Sequence, residues 1–311
     1  MAATREPIGM QSPLVILGPT ASGKSDVAMA FAAARVDVEI VAVDAMQVYR
    51  RMDIGTAKPS AADRLAVPHH GIDLVEPSHP FTVADFARAA APAVANIAAR
   101  GLKPLLVAGT GLYLRALTDP MTIPGQWPDV RAELDLRAEV EGPAALHAQL
   151  VSLDPVAASR MESSNVRRIV RALEVTLGAG RPFSSFGAGI NDYRPTEFAQ
   201  FGLRWSRDAL TRRIGERVER MMSAGLLAEV AELLKEPAPL SRTARQALGY
   251  KELIEHLEGG VTLDAAVAAI ALRTRQFAVR QERWFRRDPR IRWVTIEHDP
   301  VTEALPILLQ S

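Results

Sequence analysis

"LGPTASGKSDVA", residues 17–28, places glycine at 18 and 23, lysine at 24 and serine at 25, the spacing G-x-x-x-x-G-K-[ST]. The apolar run "PLVI" before it is fit for a buried strand, and "DVAMAFAAA" after it is a good helix former. In that strand–loop–helix setting, the loop Gly18-Pro19-Thr20-Ala21-Ser22-Gly23-Lys24-Ser25 turns its backbone N–H groups onto an anion at a helix N-terminus. The motif specifies phosphate and leaves open whose phosphate it is. A glycine turn without a ligand is the alternative reading of the same residues.

Beyond the loop, "VEIVAVD" (38–44) reads as a second strand, residues 82–101 as a helix ended by Gly101, and "KPLLVAGT" (103–110) as a third strand. Strands separated by helices argue for a parallel sheet covered on both faces, with ligands beyond the carboxyl ends of the strands. Each strand accordingly runs into something chemical: the phosphate loop, Asp44 and "AGTG". The proline-bearing stretch "DPMTIPGQWPDV" then reads as a linker, and helical patterns fill residues 129–178 without strand alternation. "TEFAQFGLRW" (196–205) returns to strand character, long helical patterns come next at 207–235 and 262–287, and "IRWVTIE" closes the series as a strand. The expected fold is α/β, a P-loop NTPase-like parallel sheet flanked by helices. Residues 1–120 and 196–311 form its core, and 121–195 a small all-helical insertion domain.

A composition of 48% hydrophobic and 23% charged residues describes an ordinary globular chain with a sizeable core. No apolar run approaches the length of a membrane span, and "MAATREPIGMQS" lacks the apolar core of a secretory signal. Zero cysteines exclude disulfides, a thiolate nucleophile and cysteine-ligated zinc, and fit a reducing, cytoplasmic setting. A net charge of +1 demands no polyanionic partner, but the distribution is uneven. Arg273, Arg275, Arg280, Arg283, Arg286, Arg287, Arg290 and Arg292 face only Glu282 and Asp288, and Arg160, Arg167, Arg168 and Arg171 form another cluster. Such clusters are either solvated helix faces or contacts for a phosphate backbone.

An ATPase or GTPase supplies an aspartate at a strand end to help hold Mg²⁺, and only Asp44 is available for that here. Asp44 leads into a long polar and aromatic loop, "AMQVYRRMDIGTAKP", suited to shaping a pocket for a second substrate. Taken in order, "GPTASGKS", "VDAMQVYRRMDIGTAKP", "VPHHGIDL", "AGTGLYLRAL", "RRIVRALEV", "ALGYKEL" and "TRQFAVRQERWFRRD" resemble the motifs of the bacterial tRNA dimethylallyltransferase (tRNA isopentenyltransferase) family. The resemblance runs from about residue 13 to 294. Two departures stand out: Ala45 where the family usually has serine, and Ala108-Gly109 where it usually has two glycines.

The resemblance implies that the phosphate loop cradles the diphosphate of dimethylallyl diphosphate, with Mg²⁺ on Ser25 and Thr20 on a phosphate oxygen. The allyl group would pass to N6 of the adenine just 3′ of the anticodon, presented by the tRNA anticodon stem-loop. It assigns Asp44 as the general base, the alternative being an aspartate that orders Mg²⁺. It places Thr110 near the bridging oxygen and the tRNA; the alternative is a helix N-cap before "GLYLRAL", and the two readings are compatible. Arg213, Arg217 and Arg220 share a helix face; the resemblance implies that one of them, expected to be Arg217, reaches the diphosphate, the alternative being an ion-paired face with Glu216 and Glu219.

For the RNA, the resemblance implies contacts from Asp44, Ala45, Met46 and Gln47, with the Gln47 amide reading the purine edge. Further contacts fall on Thr110, Arg131, Arg167, Arg168, Ile169, Val170 and Arg171. The stretch Arg245-Gln246-Ala247-Leu248-Gly249-Tyr250 adds a cation, an amide and a ring for stacking, and Arg275, Gln276, Arg280 and Gln281 complete the set. On the last long helix, the stripe Val267, Ile270, Thr274, Phe277 and Gln281 lies opposite the arginines and is expected to face the core. His69 and His70 lack a third metal ligand at useful spacing and are expected to order a loop near the active site, while Trp284 and Phe285 are expected to pack. The implied enzyme is cytoplasmic and monomeric, with no membrane partner. Three other readings remain: prenyl transfer to free adenine nucleotides, an ATP-dependent kinase, and a non-catalytic RNA-binding protein.

Overall fold

A computed structural model describes residues 13–187, 189–190 and 192–310. The chain divides into two compact units, one of residues up to Asp119 and from Arg194 onward, the other of residues 120–193. In the first, β1 (Leu14–Leu17) leads through the phosphate loop into α1 (Lys24–Ala33), then β2 (Val38–Val43), α2 (Ala61–Ala66), β3 (His69–His70), α3 (Val83–Ala99), β4 (Lys103–Ala108) and α4 (Gly111–Thr118). The second holds α5 (Pro128–Leu153), interrupted at Gly142-Pro143, α6 (Pro155–Ala158) and α7 (Val166–Ala179), with a short 3₁₀ turn at Phe183–Phe186. The first then resumes with β5 (Ala199–Trp205), α8 (Arg207–Ser223), α9 (Leu226–Leu234), α10 (Arg242–Arg245), α11 (Tyr250–Leu257), α12 (Leu263–Phe285), β6 (Arg292–Ile296) and α13 (Pro300–Leu309).

The six strands form one sheet in the order β3-β2-β4-β1-β5-β6, and every neighbouring pair is parallel. This is a P-loop NTPase-like α/β fold. Alternation along the strands sends Val15, Leu17, Val41, Val43, Leu106 and Ala108 into one core with Phe86, Val230, Leu253 and Ile270 from the helices. Leu14, Ile16, Ile40, Leu105, Val107, Phe201 and Leu203 enter the core on the other face, with Val27 and Phe31 of α1 and Leu308 of α13. With both faces covered, strands of near-continuous apolar sequence are the stable solution.

Register is what builds the site. Leu17 pairs with Ala108, and Ala108 pairs with Val43, so three adjacent strands stop at one level. Gly18, Gly109 and Asp44, the next residue on each, therefore emerge side by side at the carboxyl edge.

Three expectations need correction. The pattern at 207–235 is two helices, because Gly225 takes φ +98°, a left-handed conformation that ends α8 and starts α9. His69 and His70 lie in edge strand β3, paired with Ile40 and Val41, where His70 Nε2 meets Glu39 Oε2 at 2.8 Å. Glu39 also accepts from both terminal nitrogens of Arg100 at 2.7 Å, which holds its carboxyl down at about 2. His70 thus belongs to a cluster on the body of β2, while His69, on the same edge strand, bonds the Val67 carbonyl through Nδ1 at 2.7 Å. In the second unit, Ile169 and Val170 are fully buried with Leu134, Leu146 and Leu150, so they are core residues rather than RNA contacts.

Candidate active site

The phosphate loop owes its shape to two left-handed residues, Ala21 at φ +62° and Gly23 at φ +85°. A side chain at Gly23 would also sit 2.4 Å from Pro300 Cγ, so position 23 admits only glycine. Successive N–H groups turned inward in this way form an anion-binding concavity, and the first-turn amides of α1 add to it. The loop is braced from outside. Trp205 Nε1 donates to the Ser22 carbonyl at 2.9 Å, and Arg213 Nε donates to the Ala21 carbonyl at 2.9 Å while its guanidinium stacks 4.4 Å from the Trp205 ring. With these two carbonyls paired outward, and the Thr20 and Ser22 amides taken by Gln281 and the Pro19 carbonyl, the loop's remaining N–H groups are left for an anion.

Three groups meet at Gly109. A Cβ built there would lie 3.2 Å from Asp44 Oδ2, 3.5 Å from Lys24 Cε and 3.5 Å from Gln281 Nε2. A methyl group there would press on Asp44 Oδ2 and lie in ordinary contact with the other two groups. Ala108 is fully buried and accepts from the Gly18 amide through its carbonyl, so its methyl group is accommodated.

Asp44 Oδ1 accepts from the Met46 amide at 2.8 Å and the Gln47 amide at 3.3 Å. Its Oδ2, the atom facing Gly109, has no hydrogen-bond donor among the described residues. The carboxylate is therefore fixed by one oxygen and presents the other. Thr110 stands at the N-cap position of α4, where its carbonyl accepts the Leu114 amide, but its side chain makes no capping bond and its Oγ1 instead accepts from the Ala45 amide at 3.2 Å.

Charge is concentrated here. Burial, and then the nearby Arg217, push the Lys24 ammonium down to about 8, against the pull of Asp44 and Asp26. Burial also lowers Arg217, opposed chiefly by Asp44. Lys24 and Arg217 are thus two buried, mutually repelling cations, a pairing that an incoming polyanion would relieve. Of the three α8 arginines, Arg217 is the one facing this cluster, Arg213 is committed to the loop, and Arg220 is exposed.

Glu229 was not legible from its sequence, "LLAEVAELL". Its carboxylate accepts from the amides of Asp53 (2.9 Å), Ile54 (2.8 Å) and Gly55 (3.2 Å), and from the Tyr250 hydroxyl at 2.6 Å. The loop so held receives the Gln47 amino group through the carbonyls of Thr56 and Ala57, both at 3.1 Å. Gln47 thus spends its donors inside the chain and keeps only Oε1 for a ligand.

Other expected RNA contacts divide into exposed and committed groups. Arg167, Arg168, Gln246, Gln276 and Arg280 are exposed, and Arg245 is exposed but paired with Glu258. Met46, Leu248 and Arg275 are partly buried. Tyr250 is fully buried under Glu229, so it is not a stacking platform, and Ala247 and Gly249 are buried beside it. Arg131 and Arg171 both pair with Glu174, and Arg171 also donates to the Pro124 and Gly125 carbonyls at 3.0 Å, so they brace their own unit. Gln281, expected at the RNA, is only 7% exposed, with both ends of its amide bonded within the chain.

The sequence model of the IPP transferase family matches residues 47–288, and that of isopentenyl transferases matches residues 12–67. The chain belongs to the IPP transferase family. As an IPP transferase it is an enzyme, a prenyltransferase. Curated relatives from Geobacter metallireducens (47% identical over 283 residues, 90% of this chain and 91% of the relative) and Kineococcus radiotolerans (47% over 304 residues, 95% of each) are both named tRNA dimethylallyltransferase. The full-length tRNA isopentenylpyrophosphate transferase of Bacillus halodurans is 36% identical with a TM-score of 0.67, covering 96% of each chain. A eukaryotic dimethylallyltransferase solved acting on tRNA is 25% identical with a TM-score of 0.75, over 91% of this IPP transferase and 73% of that chain.

Proposed function

We propose that this IPP transferase moves the dimethylallyl group of dimethylallyl diphosphate to N6 of the adenosine 3′ of the anticodon in tRNA, giving N6-isopentenyladenosine and diphosphate. The observation that supports it best is the meeting of Lys24, Asp44 and Gly109, which sets a carboxylate oxygen without a donor beside an anion cradle.

The N6 lone pair forms a bond to C1 of the allyl group as the C1–O bond breaks, and the diphosphate leaves with the electron pair. Adenine N6 is a weak nucleophile because its lone pair is delocalised, so acceptance of its proton by Asp44 Oδ2 assists attack. Lys24, Arg217, Thr20 and the loop amides neutralise the charge that develops on the leaving diphosphate. Thr110, at the same strand edge, steadies the backbone after Asp44.

The described residues contain no cluster of three or more histidines or carboxylates able to hold a metal. A hydroxyl such as Ser25 beside a phosphate cradle is instead the donor set of Mg²⁺ that arrives with its phosphates. Ser25 would hold such an ion, which would supply charge neutralisation on the diphosphate.

The adenine reaches this edge only when unstacked, which costs least in a single-stranded loop. Exposed Arg168 and Arg280 supply sequence-independent contacts to the RNA backbone. No described helix is long and apolar enough to cross a membrane, and the reading includes a cytoplasmic, monomeric enzyme with no membrane partner. The test is incubation with radiolabelled dimethylallyl diphosphate, Mg²⁺ and either tRNA or AMP. Label in tRNA alone supports the proposal; label in AMP alone, or in neither, defeats it.

A further inference from the structure

Gln281 reaches from α12 into the gap between two loops far from it in sequence. Its Oε1 accepts the Thr20 amide at 2.9 Å, and its Nε2 donates to the Gly109 carbonyl at 2.7 Å. The orientation is unambiguous, since an N–H requires an acceptor and a carbonyl requires a donor. Thr20 belongs to the phosphate cradle, and Gly109 is the residue against which Asp44 Oδ2 and Lys24 rest. One buried side chain therefore joins the cradle to the turn that backs the carboxylate.

We infer that Gln281 is a positioning residue for prenyl transfer, fixing the phosphate loop against the Gly109 turn and so the spacing of the leaving group from Asp44. The inference rests on the proposed transfer reaction and departs from the RNA contact that the family resemblance implied. The side chain is only 7% exposed, and swinging it out to RNA would release both bonds and leave a buried N–H and C=O unpaired, which is unfavourable. Bond formation requires the reacting atoms about 3–3.5 Å apart, and a shift of about 1 Å lowers the rate on the order of 100-fold. Gln281 holds that spacing without meeting a reacting atom.

The test uses the full chain as wild type, Gln281→Leu and Gln281→Glu, with Asp44→Asn as a second background. Leucine removes both bonds. Glutamate keeps an acceptor for Thr20 but sets oxygen against the Gly109 carbonyl, and serves if the leucine variant does not fold. Expected is a fall in kcat of about 100-fold, with KM for both substrates and Kd for tRNA within about threefold of wild type. On the Asp44→Asn background the same change should add little, because Gln281 acts through the placement of Asp44.

A tRNA Kd weakened about tenfold with kcat retained would return Gln281 to RNA contact and overturn the inference. Full additivity with Asp44→Asn, or an unchanged kcat, would overturn it equally. A wild-type protein that transfers nothing to tRNA would instead bring down the proposed function and this inference with it.

Discussion

The Ala45 amide and the Thr110 hydroxyl meet at 3.2 Å, joining the residue after Asp44 to the residue after Gly109, each two places beyond a strand end. The bond ties the backbone that leaves Asp44 to the neighbouring strand end. Thr110→Ser should keep it and hold activity within a few-fold. Thr110→Val removes the acceptor, and a hydrogen bond is worth about 0.5–1.5 kcal/mol net. If that is lost in the transition state, kcat falls up to about tenfold. Steady-state kinetics of the two variants would check it, and a valine variant as active as wild type would remove Thr110 from the site's support.

Asp44→Asn is the sharpest change available at the carboxylate. The amide oxygen can still accept from the Met46 and Gln47 amides, so the loop keeps its shape. It cannot accept a proton from N6. Transfer should fall about 10³-fold, within the range of lost general bases, while tRNA affinity stays within about threefold. Single-turnover rates and filter binding measure the two halves separately. Near-normal transfer would exclude Asp44 as the base.

Lys24 gives a pH prediction. Its ammonium is held at about 8, so the free enzyme loses this charge as pH rises through that value. Below it the cradle is cationic and the diphosphate is bound well. Above it kcat/KM for dimethylallyl diphosphate should decline by up to tenfold per pH unit, since kcat/KM reports groups of the free enzyme. Lys24→Arg keeps the charge and should shift this limb to higher pH, although the overall rate falls with the altered geometry. A flat profile between pH 7 and 10 would contradict it.

Much of this was legible in the chain because the information was local. The phosphate loop announces itself through glycine spacing between a strand and a helix, and strand ends in α/β sheets are where chemistry collects. Gln281 and Tyr250 show where locality ends. Both have the composition of RNA-contacting residues, but one is bonded to Thr20 and Gly109 and the other to Glu229, partners set by tertiary packing. Arg171 likewise reads as a phosphate ligand until Glu174 and two carbonyls are seen to hold it. A side chain's type limits what it can do, and its neighbours decide what it does.

Arg168 and Arg171, one helical turn apart on α7, should therefore respond differently to alanine. Arg168 is exposed, so its loss should weaken tRNA binding across sequences and lower the slope of log K against log salt by about one. Arg171→Ala strips a partner from buried Glu174 and unties the Pro124-Gly125 turn. Its main effect should be a lower melting temperature. Salt-titrated binding and thermal melts of both variants would decide, and equal salt slopes for Arg168→Ala and wild type would return Arg168 to a solvated face.

Glu229 carries the last prediction. Its carboxylate accepts three backbone amides and the Tyr250 hydroxyl, and the loop it holds anchors Gln47. In Glu229→Gln the new amino group can turn toward Tyr250, whose hydroxyl can rotate to accept, and the Gly55 amide then loses its partner. Leaving one such donor unpaired costs about 1–3 kcal/mol, and at about 2–4 °C per kcal/mol for a domain of this size the melting temperature should drop by roughly 3–10 °C. Glu229→Ala removes all four acceptor contacts and should drop it further. Because Gln47 hangs from the same loop, kcat/KM for tRNA should fall about tenfold in Glu229→Gln, while KM for dimethylallyl diphosphate stays near wild type. Loss confined to the donor side would mean that the loop serves the phosphate cradle rather than the base, and the role given to Glu229 would have to be withdrawn.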